Sequence, residues 1–178
     1  MAQVVSVDPV KLFMAILTNG RTEWNHIMDR LILHWGKIDY QSADYEFGLT
    51  DYYQKEMGEP LYRRFISFQA LIPPEAIASI KRVTNRIEEE GMINGNRQFN
   101  LDPGYLDYQK IVLASMKFGG QKIHLHSGVY ADLTLYYRKG SFTVFPWTFP
   151  DFKSDIYYPC LLRIRELYKQ NRQQNPPE

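Results

Sequence analysis

A single cysteine, Cys160, occurs in the 178 residues, so no internal disulfide can form, and the chain suits the reducing cytoplasm. No apolar run approaches the roughly 20 residues that span a bilayer. The start, MAQVVSVDPV, lacks the charged-then-apolar form of an export signal. Neither sign of charge dominates: 21 Lys and Arg stand against 20 Asp and Glu, a net charge of +1. Such a balance gives no field for general nucleic-acid or membrane binding. There is no GxxxxGK[ST] and no GxGxxG, so a P-loop and the common dinucleotide fingerprint have no support. A GxSxG elbow is missing too, and Cys160 falls on the apolar stripe of a helix, a poor place for a nucleophile. What the sequence has in surplus is aromatic rings, at 15%, with 13 Tyr the commonest.

The apolar run of residues 10–17 (VKLFMAIL), closed by Asn19-Gly20, predicts a central strand. Thr22 then reads as a helix cap, with Trp24, Ile27, Met28, Leu31 and Trp35 on one helical face and Gly36 as the stop. A second strand is expected over residues 40–49 and a third, alternating one over 62–72. Pro73-Pro74 opens a second helix that turns Ile77, Ile80, Val83 and Ile87 inward and ends at Gly91. Residues 98–101 form a short fourth strand. The order β-α-β-β-α-β is that of a ferredoxin-like unit, in which two helices cover one face of an antiparallel sheet. The fold class is therefore α+β. Beyond this core the reading adds a helix over 105–118, three short strands (122–126, 129–137 and 141–147) and a final helix over 159–169. Residues 1–170 make one domain, and the polar tail 171–178 (NRQQNPPE) is expected to be disordered.

The three late strands should form a meander, with turns at Ser127-Gly128 and Lys139-Gly140. A two-residue second turn pairs Asp132 with Trp147, Thr134 with Phe145 and Tyr136 with Thr143. For the first turn, a three-residue loop keeps Ile123 and Leu125 in the core and sets His126 opposite Tyr130 and His124 opposite Asp132. The predicted face then carries His124, His126, Tyr130, Asp132, Thr134, Phe145 and Trp147. Titratable groups between aromatic walls are the chemistry of a binding cleft, or equally of a partly solvated sheet face.

Several patterns point to chemistry. His124 and His126, two apart on a strand, could share a metal with Asp132 as the third ligand Zn²⁺ requires. Asp102-Pro103 has the form of a helix start, a capping carboxylate followed by a residue without an N–H. A helix N-terminus there would favour an anion, and Lys110 and Lys117, seven apart on the expected helix, could extend the site toward a phosphate; both could equally be solvated. Asp51 could ligate a metal, act as a base, or simply cap a turn. Arg63 and Arg64 point to opposite faces of their strand, so at most one of them meets a ligand.

The stretches FGLTDYY (47–53), NLDPGYL (100–106), KIVLASMK (110–117), GVYADLTLYY (128–137) and FPWTFPDF (145–152) resemble, in this order, a prokaryotic family catalogued as a domain of unknown function. The resemblance implies a stand-alone cytoplasmic protein and carries over no activity, cofactor or catalytic residue. It does imply that Asp51, Tyr52, Tyr53, Asn100, Asp102, Tyr105, Lys110, Lys117, Tyr130, Asp132, Trp147 and Asp151 belong to the family's signature, whereas His124 and His126 fall outside it. The expected function is binding, with or without turnover, of a small anionic ligand such as a nucleotide or phosphorylated metabolite. Tyr52, Tyr53, Asn100, Asp102, Tyr105, Lys117, Tyr130, Thr134 and Trp147 would bind it, with Asp132 or Asp51 as general base and Lys110 as electrostatic stabiliser. Two alternatives are a Mg²⁺- or Mn²⁺-dependent phosphotransfer enzyme using Asp51, Asp102 and Asp132, and an RNA-interaction or structural module. Oligomeric state is not legible.

Overall fold

The apolar run near the start is a central strand, β1 (Val10–Thr18), buried at every position. The computed structural model describes residues 3, 5–20, 24–48 and 52–174. Thr22, expected as a cap, Asp51, and residues 175–178 of the expected tail lie outside the described residues. Helix α1 (Trp24–Trp35) follows and stops at Gly36, whose φ of 78° is the left-handed value that glycine adopts without strain. The expected second strand is two short pieces, β2 (Ile38–Gln41) and β3 (Tyr45–Glu46), both against β4 (Tyr62–Ile72). Ser42 fills the break: its N–H donates to the Phe65 carbonyl while its Oγ accepts from the Phe65 N–H. A short helix α2 (Gln54–Met57) precedes β4, and α3 (Ala76–Glu90) follows it.

The next segment overturns an expectation. No helix starts at Asp102. Instead β5 (Phe99–Leu106) and β6 (Lys110–Ser115) form a hairpin. The turn-former is Asp107, whose Oδ1 accepts from the N–H groups of Gln109 and Lys110. Asp102 is a strand residue opposite Ala15. Pro103 is tolerated because, by strand alternation, its missing N–H lies on the side away from β1, as does the Leu101 N–H, and no ladder bond to β1 is lost.

The meander forms as β7 (Ile123–His124), β8 (Tyr130–Arg138) and β9 (Ser141–Val144). Lys139 and Gly140, both at positive φ, make the two-residue turn, and Tyr136 pairs with Thr143 as expected. The other two predicted pairs do not form. Past Val144 the chain leaves the sheet, because the Phe145 N–H turns to Thr148 Oγ1, which donates in turn to the Thr134 carbonyl. The first turn is longer than expected, so His124 rather than His126 lies opposite Tyr130. On its other side β8 carries a bulge: Ile111 pairs with Leu135 but Val112 pairs with Leu133. Thr134 is the extra residue, and beyond it the faces exchange, so Asp132 and Leu135 share a side instead of opposing each other.

All pairings are antiparallel, and the sheet runs β2-β4-β1-β5-β6-β8-β7, with β3 beside β4 and β9 beside β8. Each helical crossover skips one strand: α1 leads from β1 to β2 across β4, and α3 leads from β4 to β5 across β1. Leu12, Met14 and Ile16 of β1 face α1 and α3, against Ile27, Leu31, Ile77 and Ile80. Phe13 and Ala15 face the other way, toward α4 (Pro150–Lys153) and α5 (Tyr158–Gln174), meeting Phe152, Leu161, Ile164 and Tyr168. Helix α5 runs four residues into the stretch expected as a disordered tail, and Asn171 and Arg172 are buried. The molecule is α+β, with helices on both faces of its sheet. Among the described residues no helix is long and apolar enough to cross a membrane.

Candidate functional site

The hairpin of β5 and β6 pairs only from Gly104 opposite Leu113 onward toward its turn. From Phe99 to Pro103 the outer edge of β5 has no neighbouring strand among the described residues, and a buried strand edge cannot leave its peptide groups unbonded. Helix α3 supplies the partners. The Leu101 N–H donates to Glu88 Oε1 (2.7 Å), and the Leu101 carbonyl accepts from Lys81 Nζ (2.8 Å). Two charged residues on the buried stripe of α3 thus stand in for a missing strand. Where β6 diverges, a cavity of about 450 Å³ opens, lined from β5, β6, α3, the Tyr52-Tyr53 segment and the start of α4.

Its floor is a charge network. Asp102 lies 3.6 Å from Arg63 Nη1 and 3.5 Å from Lys81 Nζ, and its Oδ2 accepts from Asn100 Nδ2 (2.8 Å). The Asn100 Oδ1 accepts in turn from Arg97 (3.0 Å). Arg97 grips Glu56 of α2 through two hydrogen bonds (2.8 and 2.6 Å) and reaches Glu88 at 3.2 Å. This bond to Arg97 holds the Glu56 carboxyl below the usual carboxylate range. Arg63 is buried between Asp102 and Asp151, whose Oδ2 is 3.5 Å from Nε, and its guanidinium lies 4.8 Å from the centre of the Phe47 ring. That Nε makes no hydrogen bond among the described residues. Burial raises the proton affinity of Asp151 against the pull of Arg63, and that of Glu88 against Lys81.

The rim is built differently. Lys117 is exposed, with Nζ 3.8 Å from the centre of the Tyr52 ring. Lys122 donates to Ser115 Oγ (2.9 Å) and to the Lys117 carbonyl (3.2 Å), and its Nζ lies 3.4 Å from Asp132 Oδ2. Phe149 closes the far side, 5.5 Å from Lys122. Asp132 is only 2% exposed and its Oδ2 has no hydrogen-bond partner among the described residues; burial pushes its carboxyl up, against Lys122.

Of the residues singled out from sequence, Tyr52, Tyr53, Arg63, Asn100, Asp102, Lys117 and Asp151 line this cavity. Asp132 stands behind it through Lys122. The others among the described residues lie elsewhere. Tyr105 packs against the core under α1 and α3, and Lys110 is ion-paired to Asp107 in the hairpin turn. With no helix start at Asp102, the expected helix-end anion site does not exist. Tyr130 sits between the rings of Phe118 and His124, and Thr134 donates to the Asp132 carbonyl. Trp147 stacks flat on Phe145 (5.0 Å, 5°) and donates to the Leu133 carbonyl, so it shares no hollow with Asp132. His124 and His126 are exposed, and among the described residues no three His, Cys, Asp or Glu side chains come together to hold a metal. Sequence reasoning missed Lys81, Glu88, Arg97 and Lys122. The first two carried a signal, since both occupy positions that the period of α3 assigns to the core.

A family model described as a domain of unknown function (DUF4416) matches residues 8–168. No curated protein and no solved structure matches the chain.

Proposed function

The chain belongs to this family, whose description assigns no activity, and we propose on the cavity alone that it binds a small anionic ligand, such as a nucleotide or phosphorylated metabolite, between β5 and β6. One observation carries the reading: Arg63, Lys81, Arg97, Lys117 and Lys122 converge on one hollow against three carboxylates, with aromatic walls. A volume of about 450 Å³ suits a molecule of mononucleotide size and not a polymer. Thermal-shift screening against nucleotides and sugar phosphates tests it. At least one of them should raise the melting temperature, and Lys117→Ala should weaken that ligand by about tenfold, the scale of one charge-assisted contact. No shift across the panel, or shifts untouched by Lys117→Ala, would remove the proposal.

Two coarser readings go with it. The skipping order β2-β4-β1-β5, with both crossovers helical, supports a ferredoxin-like core carrying the later hairpin and meander. The lone buried cysteine supports a cytoplasmic location.

A further inference from the structure

The two ends of the cavity differ in what they offer, and that difference specifies the ligand. At the floor, the cations already face acidic or carbonyl partners. Lys81 donates to the Leu101 carbonyl and lies 3.5 Å from Asp102, while Arg63 is held between Asp102 and Asp151. Asn100 bonds within the network, its oxygen accepting from Arg97 and its amide donating to Asp102 Oδ2. Asp102 keeps spare accepting capacity: its Oδ1 lies 3.5 Å from Lys81 Nζ but accepts no hydrogen bond among the described residues. The Asp102 side chain is 25% exposed, against 4% for Arg63 and 9% for Asp151. A carboxylate oxygen with open lone pairs calls for an N–H donor. At the rim the offer is reversed. Lys117 is exposed and makes no ion pair among the described residues; its Nζ lies over the Tyr52 ring and its charge also reaches Glu56. It calls for an anion. The rings of Tyr52, Tyr53 and Phe149 also line the cavity and give flat apolar contact.

We infer that the ligand is bipolar: a flat aromatic body with an amino or amide donor directed to Asp102 at the floor and a phosphate at Lys117 on the rim, as in an amino-bearing nucleoside 5′-monophosphate. The inference rests on the anion-binding reading above and adds orientation and a donor requirement. Placing the phosphate at the floor instead would set it beside Asp102, Asp151 and Glu88, the acidic partners of Arg63, Lys81 and Arg97, whereas Lys117 has no such ion-pair partner among the described residues.

Calorimetric titration with four probes tests it: adenosine 5′-monophosphate, purine riboside 5′-monophosphate (the same molecule without the amino group), adenosine and inorganic phosphate. The wild type should bind the first at least about tenfold more tightly than the other three, since a site built to accept a donor rejects the analogue lacking it. Asp102→Asn should erase the difference between the two nucleotides. Lys117→Ala should weaken both nucleotides and keep their ratio. Equal binding of the two nucleotides, with affinity still dependent on Lys117, overturns the orientation and leaves the anion site standing. Absence of binding by every probe, with wild type and variants folded by circular dichroism, overturns the inference and the function it rests on together.

Discussion

Leu101 has no strand on its outer side, yet both its peptide groups are bonded to charged side chains, and this is what lets a cavity exist in the middle of a sheet. Glu88→Ala strands the buried Leu101 N–H and removes a partner of Arg97, so a loss of about 1–3 kcal/mol is expected, read from the urea midpoint at unchanged slope. Asp132, behind the rim, gives a signed pH test. Burial makes the folded protein bind its proton more tightly than the unfolded chain does. The resulting stability is fully present below the unfolded pKa of about 4 and is lost as pH climbs through the higher folded value. Denaturation of Asp132→Asn beside the wild type, from about pH 4 to pH 8, should therefore shift steadily in favour of the variant as pH rises; a difference that stays flat contradicts this. Cys160 behaves as a core residue, its thiol pushed up to about 12 by burial. At pH 8 only about one thiol in ten thousand is ionised, so a disulfide reagent should label it only after denaturation. Its inertness was legible from its place on an apolar helical stripe. The orientation of Arg63 was not, because a strand shows two faces and only the tertiary fold says which one meets Asp102 and Asp151.

The hairpin of β5 and β6 shows how an element is misread when two rules compete. Asp102-Pro103 satisfies the local signature of a helix start, but the same pair fits a strand whose outer edge is open, where an absent N–H costs nothing. The apolar run of residues 111–114 favours a strand buried on both faces and fixes the outcome. Gly104 then becomes a packing requirement. A Cβ there would lie 2.6 Å from Phe13 Cζ, 2.8 Å from the Val112 carbonyl oxygen and 2.9 Å from a Leu113 methyl. Two of these belong to buried side chains and one to backbone, so the strain has no soft outlet. Gly104→Ala should cost about 1–3 kcal/mol, seen as a lowered melting temperature; a neutral result would mean that β5 and β6 separate more easily than their register implies. The bulge at Thr134 left no trace in the sequence, since alternation of residue types continues through it. One unpaired residue turns Asp132 to the side of Leu113, and with it goes the face expected to unite Asp132 with Trp147.

At the scale of the whole molecule, the chain order of the first hundred residues and the helix under its sheet are readable because apolar periodicity encodes which face is buried. What covers the opposite face comes from the far end of the chain, and its anchoring is polar. Helix α5 lies across β1 and β4, and its last turns clasp the start of β1: Tyr168 donates its hydroxyl proton to the Pro9 carbonyl, and Asn171 accepts from Lys11 at 2.6 Å. Lys11 is fully buried on β1 and also pairs with Asp39, which Ser67 supports. A buried ammonium that loses an acceptor keeps its desolvation cost, whereas the buried Arg172 pairs with an Asp8 that is 63% exposed, and water on that side screens the pair. The composition of the last residues, polar and containing Pro176-Pro177, suggests a loose tail because it carries no apolar stripe to announce this contact. The two variants should therefore separate. Asn171→Ala is expected to cost about 1.5–3 kcal/mol, the range for a hydrogen bond to a charged group, and Arg172→Ala less than about 1 kcal/mol. A chain ending at Gln170 should lose about what Asn171→Ala loses. Urea denaturation of the three decides it: equal losses for the two point variants would move the anchor of α5 from the buried lysine to the surface pair.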